Sequence, residues 1–322
     1  MATPRSADFE ARVGPSRQEL LVHCYRLLAS VQEAEDAVQE ALLRAWRAWD
    51  RYDESRASVR TWLYSITTNV CLTALQRRQR RPLPSGLGAP SDDPYAPLVP
   101  ALDVAWVQPF PDARLDDPAS RVVRRGSLRL ALIAAMQVLP PRQRAVLILR
   151  DVLDFTAAEA ATVLETSPAA VNSALQRARA GLSAASLTEG AVTEPDDGSL
   201  RKVVDRYIQS FEAADVEGLV RLLTDDVVLE MPPVPLWYVG RADYARFIDR
   251  VFAMRGADWR MIRTGANRQP AVAAYCRQGD AYHIHSLQVF TVTPAGIRHT
   301  VVFPDPGVFA VFGLAPQLAQ GK

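Results

Sequence analysis

Cysteine and lysine are both scarce in this chain of 322 residues, which has three of the first and two of the second. Cys24, Cys71 and Cys276 are odd in number and far apart, with no CxxC and no histidine at ligand spacing. That pattern excludes a disulfide framework and a zinc site, and predicts buried packing in a reducing compartment. Long apolar runs are missing as well. No stretch approaches the roughly 18 consecutive apolar residues of a membrane span. The start, Met1-Ala2-Thr3-Pro4-Arg5, lacks the apolar core of a secretory signal. A cytoplasmic protein with no metal, no cofactor and no membrane partner is expected.

What is present is enough apolar material, 48% of residues, to build a core in each of two or three domains. The formal net charge of +1 hides blocks of opposite sign: +3 over residues 1–85, −5 over 86–120, +5 over 121–185 and −2 over 186–322. Nearly all the basic residues are arginine, 35 of 37. This suits bidentate phosphate and base contacts, and equally the codon bias of a GC-rich genome.

From Pro15 to Arg81 the apolar spacing is helical and fits three or four helices. Prolines and glycines recur between Pro82 and Pro118, together with the acidic block, which reads as a linker. The Trp106 to Phe110 patch inside it predicts either docking on a neighbour or a turn packed on itself. Helical pattern resumes over 127–185 with sharp boundaries. Pro140-Pro141 starts one helix, Thr156 and Glu159 form a T-x-x-E capping box, Glu165 and Thr166 turn the chain, and Ser167-Pro168 opens the next helix. Helix, short turn, helix is the form that enters the major groove. After a second linker, Thr188 to Gly198, helices come first and β-rich runs follow, which predicts an α+β domain.

Residues 55–81 contain Arg56, Arg60, Arg77, Arg78, Arg80 and Arg81 and no carboxylate, with Trp62, Tyr64 and Asn69 interleaved. Arginines neutralise phosphates and rings stack on unpaired bases, so the segment suits opening DNA. The alternative is that Trp62 is core and the arginines form a solvated helix end. Glu33, Glu35, Asp36 and Glu40 gather in the first turns of the preceding helix, where the helix dipole stabilises them or a protein partner engages them.

Ala34-Glu35-Asp36-Ala37-Val38-Gln39-Glu40-Ala41-Leu42-Leu43-Arg44-Ala45-Trp46, followed by Arg60-Thr61-Trp62-Leu63-Tyr64-Ser65-Ile66, resembles the second conserved region of the sigma-70 family in its short extracytoplasmic-function form. Leu139-Pro140-Pro141-Arg142-Gln143-Arg144, Ala158-Glu159-Ala160-Ala161 and the run from Ala170 to Arg179 resemble its fourth region. The resemblance spans roughly residues 15–185 and implies transcription initiation with core RNA polymerase and promoter DNA as partners. It implies that Asp36, Gln39, Glu40, Arg44 and Trp46 face the polymerase, and that Arg56, Arg60, Trp62, Tyr64, Asn69 and Arg77 to Arg81 act at the minus-10 element. Ser167, Asn172, Ser173, Gln176, Arg177 and Arg179 would meet the minus-35 major groove, Arg and Gln being the better base readers. Members of the family commonly carry Lys or Arg at the position of Asn172 and Arg at that of Ala174, which implies weaker, less salt-dependent minus-35 binding.

Residues 198–315 resemble a SnoaL-like domain, a cone-shaped barrel in which a curved sheet wraps around helices. The resemblance rests on the opening helix with Tyr207 and Phe211, the run from Asp225 to Pro232, Gly240-Arg241 before a helix, and the closing strands. The segment from Phe303 to Phe309 is similar to Asp-Pro segments of sigma subgroups that carry this extension, in which the extension modulates activity. The domains expected are sigma region 2 over 1–85, an acidic linker over 86–124, the region 4 helix-turn-helix over 125–186, a linker over 187–197 and the SnoaL-like domain over 198–318. Two all-α sigma domains would thus precede one α+β domain.

Candidate pocket residues are Tyr207, Met231, Trp237, Tyr238, Tyr275, His283, His285 and Phe303. His283 and His285 would share a face of one strand, and either, paired with Asp205 or Glu230, could serve as a general base. With no convergent motif, no enzymatic activity is expected, and small-molecule sensing is the intermediate reading. The competing reading of the whole chain is a ligand-binding or enzymatic SnoaL-like protein with an N-terminal DNA-binding module.

Overall fold

The computed structural model describes residues 4–76, 80–115, 128–185 and 197–318. It divides into two compact units, one of residues 1–81 with 107–188 and one of 82–106 with 189–322.

The first unit opens with α1 (Pro4–Val13), α2 (Arg17–Leu28), α3 (Val31–Ala48) and α4 (Val59–Leu75). Ser30 and Ser58 start α3 and α4 by accepting the otherwise unpaired amides of Glu33 and Thr61, which is the reason small hydroxyl residues lead helices. Ala34, Val38, Ala41 and Ala45 recur at helical spacing along α3 and are buried. Cys24 of α2 and Cys71 of α4 are remote in sequence yet both buried in this core, and burial raises the Cys24 thiol pKa. The Trp106 to Phe110 patch divides. The Trp106 indole donates to Ala101 O at 3.0 Å, a local turn, whereas Phe110 packs on Tyr25 with ring centroids 4.9 Å apart. The Gln108 amide bonds Ala29 O at 3.0 Å, where α2 ends with Ala29 in the left-handed region.

The second helical block comprises α5 (Leu130–Met136), α6 (Pro141–Leu147) running into a π-helical turn over Ile148–Val152, α7 (Ala157–Val163) and α8 (Pro168–Ala185). The Thr156/Glu159 capping box is present in both directions. Ser167 Oγ accepts the Ala170 amide at 3.2 Å, and Glu165 supplies the left-handed residue of the turn. This block packs on the first through Arg144, whose Nη1 donates to Leu27 O at 2.5 Å, and through Phe155, which meets Tyr64 edge-on at 5.1 Å.

The second unit holds α9 (Asp197–Glu212), α10 (Val216–Val220), β1 (Leu223–Met231), β2 (Val234–Val239), α11 (Arg241–Arg255), β3 (Trp259–Ala266), β4 (Gln269–Gln278), β5 (Ala281–Thr293), β6 (Gly296–Phe303), α12 (Pro306–Val311) and β7 (Gln317–Leu318). The seven strands form one mixed sheet in the order β2-β1-β6-β5-β4-β3, with β7 added to β5. β1 and β6 run parallel and the other pairs antiparallel. Val204, Tyr207 and Phe211 of α9 and Tyr244, Phe247 and Ile248 of α11 join one apolar cluster with the sheet. Burial of a side chain such as Phe211 contributes about 1.5–3 kcal/mol. At the β5–β6 turn Gly296 (φ +132°) is required, because a Cβ there would lie 2.5 Å from Leu222 O.

Most of the acidic segment expected to be a free linker is part of this second unit. The Ser91 amide bonds Trp237 O at 2.8 Å and the Ala101 amide bonds Pro233 O at 2.9 Å, both on the β2 side of the sheet. Arg250 of α11 donates to Pro94 O at 2.8 Å and Ala96 O at 2.7 Å. Residues 82–106 thus form a strap, held chiefly through backbone groups that a composition reading does not register.

Candidate functional site

Helix α8 has two faces. Val171, Leu175 and Ala178 are buried, and Ser167, Asn172, Ser173, Gln176, Arg177 and Arg179 are exposed opposite them. No carboxylate occurs anywhere in the helix. Arg177 rests on Ser173 Oγ at 2.7 Å. Arg179 is engaged by both oxygens of Asp151, at 2.9 and 2.7 Å, and so differs from its neighbours in needing release before it can reach a base.

The α4 set is less uniform. Arg56 is exposed, Asn69 and Trp62 are half-buried, and Tyr64 is fully buried. Trp62 leans on Tyr52 and Trp49 at 5.0 and 5.9 Å. Tyr64 donates to Glu19 at 3.4 Å and packs on Phe155, so in this conformation it is core rather than a platform for a base. Arg60 lies over the rings of Tyr64 and Phe155, at 5.0 and 4.6 Å, and pairs with Glu19 at 3.5 Å. Its guanidinium therefore sits where the second helical block meets the first. Arg80 is exposed, while Arg81 reaches Glu33 at 2.5 Å. Arg77 and Arg78 lie outside the described residues.

On α3, Asp36, Gln39 and Arg44 are exposed, and Glu40 is half-buried and bonds Arg44 at 2.7 Å. Trp46 differs from the expectation of a polymerase-facing ring, because Phe9 of α1 meets it edge-on at 5.2 Å and Arg5 covers its face at 4.6 Å. Leu43 completes the exposed face at 43% exposure. Its helical spacing from Asp36 and Gln39 was the available signal, and an apolar residue in a charged row is easily read as core.

The second unit carries an apolar cavity of about 200 Å³ between α9, α11 and the sheet. Of the expected pocket residues, Tyr207, Met231 and His285 line it. Tyr238 and Phe303 are buried outside its lining, and Trp237 donates to Gly88 O of the strap at 3.0 Å. Tyr275 belongs to a separate cluster with Tyr282. His283 and His285 lie on one side of the sheet but do not meet in the pocket: His283 stands opposite Cys276, on the side of Ala274 and Ser286. β4 pairs Ala274 with Ser286 and Tyr275 with Ile284, leaving His285 as the extra residue of a bulge, and a bulge re-aims the side chain it carries. His285 accordingly lines the cavity beside Ser286 and Gln288, whereas His283 faces Gln317 on β7 at 3.4 Å. Burial, and then Arg255, lowers the His285 pKa to about 4, so the ring is neutral near pH 7.

Neither carboxylate considered as a partner meets these histidines. Asp205 pairs with Arg263. Glu230, only 1% exposed, accepts from His299 Nε2 at 2.9 Å and from the Ser85 amide and hydroxyl at 2.9 and 3.1 Å. The pocket's own polar group is a relay that sequence reasoning missed. Tyr244 donates to Thr300 at 3.2 Å, lies 3.3 Å from Tyr207 Oη, and Tyr207 donates to Gln288 Oε1 at 2.8 Å. Gln288 was findable as the residue two along β5 from Ser286.

A helix-turn-helix with a carboxylate-free exposed face, carried beside a four-helix block and followed by an α+β cup, defines a multidomain DNA-reading protein. Sigma-70 region 2 matches residues 15–81, sigma-70 region 4 matches 129–182, and the SnoaL-like domain family matches 204–300. The chain is 46% identical over 321 residues to the ECF RNA polymerase sigma factor SigG of Mycobacterium tuberculosis, covering 98% of this chain and 86% of that one. It is 32% identical over 222 residues to SigJ of the same organism, covering 69% and 62%. The crystal structure of that organism's SigJ superposes with a TM-score of 0.64 at 24% identity, over 96% of this chain and 99% of the other. The chain belongs to the extracytoplasmic-function RNA polymerase sigma factors, and it is an alternative sigma factor directing transcription. No helix among the described residues is long and apolar enough to cross a membrane.

Proposed function

We propose that this sigma factor binds core polymerase through the α3 face of Asp36, Gln39, Glu40, Leu43 and Arg44, and reads the minus-35 element through Asn172, Ser173, Gln176 and Arg177. The observation that carries the DNA assignment is the exposed face of α8, where Asn172, Ser173, Gln176, Arg177 and Arg179 cluster without a carboxylate to repel phosphates. Opening of the minus-10 element would fall to Arg56, Arg60, Trp62, Asn69 and Arg80. Arg60 is engaged by Phe155 and Glu19, so promoter opening requires the two helical blocks to part.

The C-terminal domain modulates this in cis. Its leverage is chain connectivity: the strap joins α4 to the second helical block and is part of the C-terminal unit. The cavity binds rather than turns over, a reading supported by the lack of any carboxylate among its described lining residues to orient His285. Run-off transcription with purified core polymerase, on the promoter of the protein's own operon, tests both halves. Full-length chain should give a transcript, Arg177→Ala should reduce it, and Arg250→Ala, which releases the strap carbonyls, should change its yield. No transcript from a promoter active in the native host would refute the assignment. Unchanged yield with Arg250→Ala would refute modulation through the strap.

A further inference from the structure

The cavity is lined by a side-chain donor with no protein partner among the described residues. Gln288 is 4% exposed and lines the space. Its Oε1 is taken by Tyr207, and among the described residues its amide nitrogen has no hydrogen-bond partner. A donor that faces an apolar cavity in that state gains a hydrogen bond when a ligand brings it an acceptor. Around it the walls are Phe211, Leu229, Met231, Phe247 and Val251, and Arg255 stands exposed at the rim.

One wall does not come from the cup. Leu98, a strap residue, lines the same cavity. It lies between the two points at which the strap is tied: Pro94 and Ala96 to Arg250 on one side, and Ala101 to Pro233 on the other. A molecule that fills the cavity meets the strap at Leu98.

We infer that the cavity takes a compact one- or two-ring apolar molecule with a single hydrogen-bond acceptor directed at Gln288, and that its binding fastens the strap by packing under Leu98. Size sets the ligand class: an apolar cavity of about 150 Å³ admits benzene, and this one is about 200 Å³. Linkage makes the effect reciprocal, so loosening the strap weakens the ligand by the factor with which the ligand holds the strap. The inference stands whether or not the minus-35 reading is correct, because every group in it belongs to the C-terminal unit.

The test uses the full-length chain and 2-naphthol, two fused rings with one hydroxyl, followed by its fluorescence. Naphthalene serves as the probe without the acceptor. Expected are saturable binding of 2-naphthol, binding of naphthalene at least about five-fold weaker, and a loss of about five-fold or more in Leu98→Ala and Gln288→Glu. Chymotryptic cleavage after the exposed strap residues Tyr95 and Leu102 should slow at saturating 2-naphthol. Absence of saturable binding, or equal affinity for the two probes, overturns the ligand class. Both readings come from the unaltered protein, so neither depends on a variant that folds. Saturable binding with unchanged strap cleavage, or with unchanged affinity in Leu98→Ala, overturns the link to the strap.

Discussion

Replacing Arg144 with methionine should loosen the second helical block from the first. The guanidinium is 2% exposed and makes four hydrogen bonds: to Leu27 O at 2.5 Å, Gln137 Oε1 at 2.6 Å, Gln137 O at 3.0 Å and Leu139 O at 3.2 Å. Four bonds to a charged donor at the low value of about 1.5 kcal/mol each give about 6 kcal/mol. Burial works against them. It pulls the Arg144 pKa down to about 10, a cost of about 3 kcal/mol that the apolar variant escapes. The net loss is then about 3 kcal/mol. For a unit of roughly 150 residues that lowers Tm by about 6–12 °C. Calorimetry of the full-length protein would read this as a shift in one transition. Hydrogen exchange should localise the loss to the end of α2 and to residues 136–140. Arg144→Lys should recover little, since one ammonium cannot serve acceptors arranged around a planar fork. A fall below about 2 °C, or full recovery by lysine, would refute the accounting.

Other expectations follow from single groups. Arg177→Ala should weaken binding to a duplex carrying the minus-35 element by about 1–3 kcal/mol, while the same change at Arg179 should cost less because Asp151 already holds that side chain; equal losses in a fluorescence-anisotropy titration would contradict the difference. Burial first, and then Arg26 and Arg60, lowers the His23 pKa to about 3. The unfolded chain therefore takes up a proton below about pH 6.5 that the folded chain refuses, and stability falls as pH drops from there toward 3, by about 2 kcal/mol at pH 5. Urea midpoints at pH 7 and pH 5 should lose that part of their difference in His23→Gln. Cys24 and Cys71, fully buried and with the Cys24 thiol raised, should react with a thiol reagent only at the rate of unfolding, and prompt modification in native buffer would count against their burial.

The faces of α3 and α8 were legible because an amphipathic helix writes its burial into its spacing. The capping box did the same for the start of α7. Tyr64 was not legible. As an aromatic among arginines it suited a DNA platform, and it is buried by groups remote in sequence, His23 of α2 and Phe155 of the second helical block. The two histidines of β5 share a side of the sheet as the period of two implies, but only His285, the bulge residue beside Ser286, reaches the cavity, and the bulge has no mark in the pattern. Strand β2 escaped notice because Pro233 and Pro235 break the β pattern, although prolines are tolerated where a strand lies at the sheet edge.

The position of β2 at that edge bears on how the strap can work. An edge strand presents unpaired backbone groups that invite pairing with another chain, and native sheets cover or blunt them. Here the cover is the strap, whose Ser91 amide bonds Trp237 O and whose Ala101 amide bonds Pro233 O. It also partners Glu230, a carboxylate buried in β1 that Ser85 contacts through two bonds. Undocking would expose the edge and remove two of the donors to a buried charge, so a freely sampled undocked state is unfavourable on both counts. The segment that composition marks as a slack tether between α4 and the second helical block is therefore held by the third domain. Any rearrangement that parts Arg60 from Phe155 must either leave the strap in place, within the slack of the chain on either side of it, or meet the cost of uncovering β2 and Glu230. A ligand beneath Leu98 would raise that cost, which is the physical sense in which the C-terminal domain can set the threshold for promoter engagement.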